Sequence, residues 1–345
     1  MNNIKIKITI PGAPKNTNLS QYLDPCHKEN NIELFVNSKV KSPDYWFVVE
    51  DIESSLQRCE INPKNIYFLS AETSLEKNYF KNSTLNEFLS QFEKIFTPYD
   101  TLQQEIKAIP FLPWMINSNH GESVYMPHER DLTYLKNLNK IEKTRPLSVI
   151  CSNKSDTPGQ RKRLEFVKKI KEHLGDGIDW FGNGVNQIES KWEGIEKYKY
   201  HLVIENNTMD YVLSEKLFDS YLGLSYPIYY GGKKIEEIFP KNSFLKININ
   251  NFDESLKSIT SLISSDTNVI NQNNLLDAKN IVCDDLNFIN RIIDITKKYP
   301  AVDGKKNVVL KSKGSILKKQ KKIYRIKKNL KKYSPRLFHE NIEFP

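Results

Sequence analysis

The stretch Tyr198–Gly232, YKYHLVIENNTMDYVLSEKLFDSYLGLSYPIYYGG, decides the reading of this chain. Tyr200 to Ile204 is a nearly continuous apolar run, the signature of a strand buried on both faces of a parallel sheet. It delivers Glu205 and Asn206 at its carboxyl end, where open α/β sheets bind ligands. From Ser214 the pattern changes to helix, with Leu217, Tyr221 and Leu222 on one face and Glu215 and Lys216 in the first turn. A helix amino terminus favours anions, and Lys216 adds a formal charge to that preference. A second apolar strand, Pro227 to Tyr230, ends in Gly231-Gly232, which allows close backbone approach to a ligand. The unit reads as strand, helix, strand around a diphosphate site.

At these residues the segment resembles the donor-binding signature of glycosyltransferase family 10, the α-1,3/α-1,4-fucosyltransferases. The elements that carry the resemblance are YKYHLVIEN, DYVLSEKL and PIYYG. The resemblance implies that Asn206, Glu215 and Lys216 hold GDP-fucose, and the spacing from Asn206 to Glu215 agrees with the family's. The family tyrosine stands three residues before the glutamate, where this chain has Val212; Tyr211, one position earlier, is the candidate. Asn207 replaces the family serine. Ser152 to Arg163 is similar to the turn and helix start where the family places a diphosphate-binding arginine, and Phe166, Val167 and Ile170 align Arg163 with it. Arg161 is the alternative. The planar guanidinium fork can grip phosphate oxygens in pairs.

The family also implies a general base. The strand Ile66 to Leu69 runs into Ser70-Ala71-Glu72-Thr73, similar to a family tetrapeptide whose glutamate takes the acceptor proton, so Glu72 is the candidate catalytic residue. Glu50 and Asp51, at the end of another apolar strand, are the runners-up. The resemblance is close over Ser152 to about Ile249 and faint before Leu147.

The 345 residues allow two domains, and the apolar fraction of 39% is ordinary for a globular protein. The amino-terminal half shows apolar strands at Ile4 to Ile10, Ile32 to Val36, Tyr45 to Val49 and Ile66 to Leu69, and a helical pattern from Leu85 to Ile95. The polar stretch Asn117 to Pro146 interrupts the periodicity and is expected to connect the halves. The second half shows strands at Leu147 to Cys151 and Ile178 to Phe181, separated by a helix from about Gln160 to Leu174. The expected fold is therefore α/β of the GT-B type, with two Rossmann-like doubly wound domains facing across a cleft. The expected division is 1–146 on the acceptor side, 147–300 on the donor side and a tail, 301–345.

Charge is unevenly placed. Fourteen of the 51 Lys and Arg residues lie between Lys305 and Arg336 with no Asp or Glu among them, leaving 37 basic against 42 acidic residues elsewhere. Ile323, Ile326, Leu330, Tyr333 and Leu337 recur at helical spacing among these lysines, as in a basic amphipathic helix. An anionic membrane surface is the favoured partner, ahead of a solvated or partner-binding tail and of a nucleic-acid contact. Bacterial fucosyltransferases that resemble this chain also end in basic amphipathic tails. Deletion after about Val302 is expected to leave the body intact.

The chain has no apolar run of eighteen residues and no signal-peptide pattern, so the expected location is cytoplasmic, peripheral at the inner face of the membrane. The four cysteines, Cys26, Cys59, Cys151 and Cys283, lack metal-site spacing and read as buried free thiols. No D-x-D, H-x-x-x-H, Walker loop or G-x-S-x-G occurs, so metal-bridged donor binding, NTPase and hydrolase chemistry find no support in the sequence. No cofactor is expected beyond a GDP-sugar donor substrate. The resulting expectation is an inverting fucosyltransferase that uses GDP-β-L-fucose. Its acceptor would be a GlcNAc- or glucose-type residue of a bacterial surface glycan, such as a lipopolysaccharide O-antigen or capsule. A transferase of another GDP-6-deoxyhexose, or a silent glycan- or membrane-binding protein, is the alternative.

Overall fold

A computed structural model describes residues 3–23, 31–71, 83–99, 105–118, 128–265 and 271–333. The amino-terminal half contains β1 (Ile4–Thr9), β2 (Ile32–Val36), β3 (Tyr45–Val49), β4 (Leu56–Ile61), β5 (Ile66–Leu69), α1 (Ser83–Leu89), β6 (Lys94–Thr97), β7 (Glu105–Lys107) and α2 (Leu132–Asn137). Six of its strands form a parallel sheet in the order β2-β1-β3-β5-β6-β7. Every residue of β3 and β5 is buried, as expected of central strands covered on both faces. The helix expected over Leu85 to Ile95 ends at Leu89, and Ile95 belongs to β6. Phe92 and Ile95 still join Leu85, Phe88 and Leu89 in one apolar cluster. Helical spacing alone does not separate these two outcomes.

The second half contains β8 (Arg145–Ile150), α3 (Pro158–Leu174), β9 (Ile178–Phe181), β10 (Tyr198–Ile204), α4 (Glu215–Leu222), β11 (Tyr226–Tyr230), β12 (Leu245–Lys246) and α5 (Phe252–Ser264). Its parallel sheet runs β12-β11-β10-β8-β9. One face packs on α3 and α5 through Phe166, Val167, Ile170, Ile259 and Leu262. The other face, with α4, shares a core with the first sheet. Val203, Leu217, Tyr221 and Tyr229 belong to the same cluster as Ile6, Ile8, Tyr45 and Phe47.

The carboxyl-terminal segments divide differently from the expected boundaries. After α5 the chain forms α6 (Gln272–Cys283) and α7 (Phe288–Lys298), whose Val282, Ile289 and Ile292 fill that shared core rather than a core of the second half alone. The Tyr45 hydroxyl donates to the carbonyls of Thr296 and Tyr299 at 3.1 and 3.0 Å, fixing the end of α7 to the first sheet. The segment expected as a tail from 301 begins with β13 (Lys306–Lys311), paired antiparallel with β4 from Lys306↔Ile61 to Lys311↔Leu56. It continues as α8 (Lys313–Tyr333). Leu310 and Ile316 are both 1% exposed, in a cluster with Trp46, Phe68 and Phe88. The first part of the expected tail is thus built into the amino-terminal domain. Burying two such side chains stabilises by about 1.5–3 kcal/mol each.

Candidate functional site

From β8 the chain passes through α3 to β9 on one side of the second sheet, then returns to β10 on the other side of β8. The connections leave neighbouring strands in opposite directions, which opens a crevice at their carboxyl ends. A cavity of about 190 Å³ lies there, lined among others by Cys151 and Ser152 after β8, Arg163 of α3, and Glu215 and Lys216 of α4.

Both helices present well-capped amino termini to this region. Thr157 and Gln160 form a reciprocal capping box at α3, with Pro158 in the first turn, where its missing N–H costs nothing. Gly159 packs so closely on β10 that a β-carbon there would overlap the Asn206 carbonyl oxygen. At α4 the cap is Ser214, whose hydroxyl accepts from Lys216 N at 3.4 Å. Buried Glu205 locks that cap: its Oε1 accepts from Ser214 N at 2.9 Å and from Ser214 Oγ at 2.6 Å.

The side chains converge as follows. Arg163, 7% exposed, donates from Nη1 to Asn206 Oδ1 at 3.0 Å. Lys216 Nζ lies 3.1 Å from Glu215 Oε1, 3.1 Å from Ser214 Oγ and 3.6 Å from Glu205 Oε2. Lys191 Nζ lies 2.8 Å from Asp219 Oδ2 and 4.0 Å from Glu215 Oε1. Burial pushes the Glu215 carboxyl up, but the Lys216 and Lys191 ammonium groups beside it more than offset this and hold it at about 2. Burial likewise opposes the charge on Lys216, and Glu215 and Glu205 overcome that, raising its pKa. Burial raises the Cys151 thiol against the pull of Arg163 and Lys216, so it stays protonated.

Two buried polar atoms of the cluster lack a hydrogen-bond partner among the described residues: Arg163 Nε and Glu205 Oε2. An unpaired guanidinium N–H beneath the surface is costly, so a partner from solvent or a ligand is expected there. The arrangement can take up an anion beside Arg163 and Lys216.

Of the residues singled out in the sequence, Arg163, Asn206, Glu215 and Lys216 come together. Arg161 is turned away, donating to the carbonyls of Ser155 and Asp156, both at 3.0 Å. Tyr211 is half-buried and does not line the cavity, while Val212 at the family tyrosine's position is fully buried. Glu72 lies outside the described residues. Glu50 accepts at Oε1 from Ser70 Oγ at 3.0 Å and Ala71 N at 2.7 Å, and its Oε2 pairs with Lys313 at 3.3 Å. Asp51 accepts from Ile52 N and Lys313 N. These carboxylates brace the turn after β5 and the start of α8. Sequence reading missed Gly159, Lys191 and Asp219, and it placed Glu205 at the strand end without its clamp on Ser214. Only the Glu-Asn dipeptide after an apolar run hinted at that clamp.

The fold is of the GT-B type, shared with an α-glucosyltransferase solved with UDP and a mismatched DNA 13-mer. That similarity has a TM-score of 0.54 at 11% identity and covers 86% of this chain and 100% of that one. Residues 141–272 match glycosyltransferase family 10 (fucosyltransferase), C-terminal part. An alpha-(1,3)-fucosyltransferase of Helicobacter pylori is 29% identical over 113 residues, 32% of this chain. The chain thus matches only 23% of the length of that relative. A crystal structure of an alpha1,3-fucosyltransferase with GDP superposes with a TM-score of 0.42 at 15% identity, over 81% of each chain.

Proposed function

We propose that the chain transfers L-fucose from GDP-β-L-fucose to a hydroxyl of an acceptor glycan with inversion at the anomeric carbon. The observation that carries this reading is the pair of cations, buried Arg163 and half-buried Lys216, at the strand-order switch, with the Arg163 Nε–H unpaired among the described residues. The family match over residues 141–272 and the name of the Helicobacter relative support GDP-fucose as the donor. Arg163, oriented by Asn206, grips the diphosphate, and Lys216, held by Glu215 and Glu205, neutralises the charge that grows on it as the sugar departs. Glu72 takes the acceptor proton while the hydroxyl oxygen bonds to the anomeric carbon. The bond to GDP breaks on the opposite face, and its electron pair leaves on the β-phosphate. No cofactor enters this account. The acceptor would be a GlcNAc- or glucose-type residue of a bacterial surface glycan.

The enzyme would work on the cytoplasmic side of a membrane, held peripherally by α8. Ile316 docks on the body, while Ile323 and Ile326, further along, are exposed among lysines. Each basic residue near an anionic surface contributes about 1 kcal/mol, weakened by salt.

The test is nucleotide release from a panel of GDP- and UDP-sugars with and without glycan acceptors. The reading requires acceptor-dependent release of GDP from GDP-fucose and none of UDP. Preference for another GDP-6-deoxyhexose would revise the donor, and silence with every pair would overturn the enzymatic reading.

A further inference from the structure

Lys191 is a third cation at the cavity, to which the proposed mechanism gives no part. It opens the turn of 3-10 helix Lys191–Gly194, which is fixed by a capping box between Ser190 and Glu193 and by Arg130 stacked over the buried Trp192 ring at 4.7 Å. Its ammonium makes one hydrogen bond among the described residues, to Asp219 Oδ2 at 2.8 Å. The Glu215 carboxylate at 4.0 Å is beyond bonding distance. Two N–H donors therefore remain for other partners. The side chain is 22% exposed and borders both the cavity of Arg163 and Lys216 and an adjoining one of about 200 Å³ lined by Ser118, Asn183 and Gln187. Asp219 is an unusually firm seat: 1% exposed, it accepts Met115 N at Oδ1 at 2.7 Å, so that one oxygen is fixed by the backbone and the other aims Lys191.

We propose that Lys191 is a further phosphate-binding cation of the nucleotide-sugar site, with Asp219 as its positioning residue. The inference rests on the donor-site reading above. A purely structural buried lysine spends its donors within the protein. Lys279, for example, is fully buried and donates to three backbone carbonyls. Lys191 instead keeps two donors at the junction of two cavities, where an anion meets three cations.

Calorimetric binding of GDP, and of guanosine by competition, to the full chain and its variants tests the proposal. Lys191→Met is expected to weaken GDP by about 10- to 100-fold while guanosine changes less than about 2-fold, and Lys191→Arg to recover most of the loss. Should Lys191→Met fail to fold because Asp219 is left unpaired, the double variant Lys191→Met/Asp219→Asn removes both charges and should fold while still binding GDP weakly. Undiminished GDP binding by a folded variant, or an equal loss for GDP and guanosine, would overturn the proposal. Failure of the unaltered protein to bind GDP would instead overturn the donor-site reading.

Discussion

Arg163 donates to Asn206 Oδ1 at 3.0 Å across 43 residues of sequence, joining the helix that follows β8 to the end of β10. The bond spans the point where strand order reverses, and it turns the guanidinium into the cavity with Nε unpaired. The packing of this helix and the proposed anion site therefore depend on one another.

That dependence makes Gly159 testable. A methyl group at this position would overlap the Asn206 carbonyl oxygen, so Gly159→Ala must shift α3 or β10. The expected cost is about 1–3 kcal/mol in denaturant unfolding, together with weaker GDP binding. Gly177→Ala is the control. Its β-carbon would meet only Leu174 Cβ at 3.7 Å, and its effect should stay within about 0.5 kcal/mol.

Glu205 clamps the α4 cap from inside the protein. Glu205→Ala leaves Ser214 N and Oγ without their acceptor and removes a counter-charge of Lys216. Unfolding experiments should show a loss of about 2–4 kcal/mol. Glu205→Gln, which keeps an acceptor oxygen, should lose less.

His201 sets an acid limit on stability. Burial, then Lys191 and Lys143, lower its pKa from 6.5 to about 3 while its Nδ1 lies 2.7 Å from Ser148 Oγ. The unfolded chain therefore binds more protons than the native one between pH 6.5 and about 3, and stability falls as pH drops through that window. The slope from this group is at most about 1.4 kcal/mol per pH unit. His201→Gln should flatten the measured pH dependence of unfolding there and leave it unchanged above pH 7.

The two parts of the carboxyl-terminal segment should respond differently to truncation. Ending the chain after Val302 removes β13, exposes β4 and deletes the buried Leu310 and Ile316, with an upper-bound loss of about 3–6 kcal/mol. Ending it after Lys322 keeps these and the bonds of Gln320 to Thr84 and Glu87. Its melting temperature should match the full chain. Co-sedimentation with anionic vesicles should fall for this shorter form and weaken for the full chain as salt rises.

Much of the fold was legible. The strands read at Ile32 to Val36, Tyr45 to Val49, Ile66 to Leu69 and Ile178 to Phe181 appear with those bounds, and of these the central pair, Tyr45 to Val49 and Ile66 to Leu69, writes its burial into continuous apolar runs. Arg163, Asn206, Glu215 and Lys216 were legible because a local motif carries them. The docking of β13 was not, since β4 lies about 250 residues earlier and an apolar stripe serves a protein or membrane surface equally well. Lys191 and Asp219, 28 residues apart on different elements, share no pattern that spacing could reveal.

The most direct test of the donor site is calorimetric titration of GDP into the unaltered protein, Arg163→Ala and Lys216→Ala, each first shown to be folded. The account predicts measurable binding by the unaltered protein and a loss of about 1.5–3 kcal/mol for each variant, the worth of a charged hydrogen bond to phosphate. Equal GDP affinity in all three proteins would contradict it.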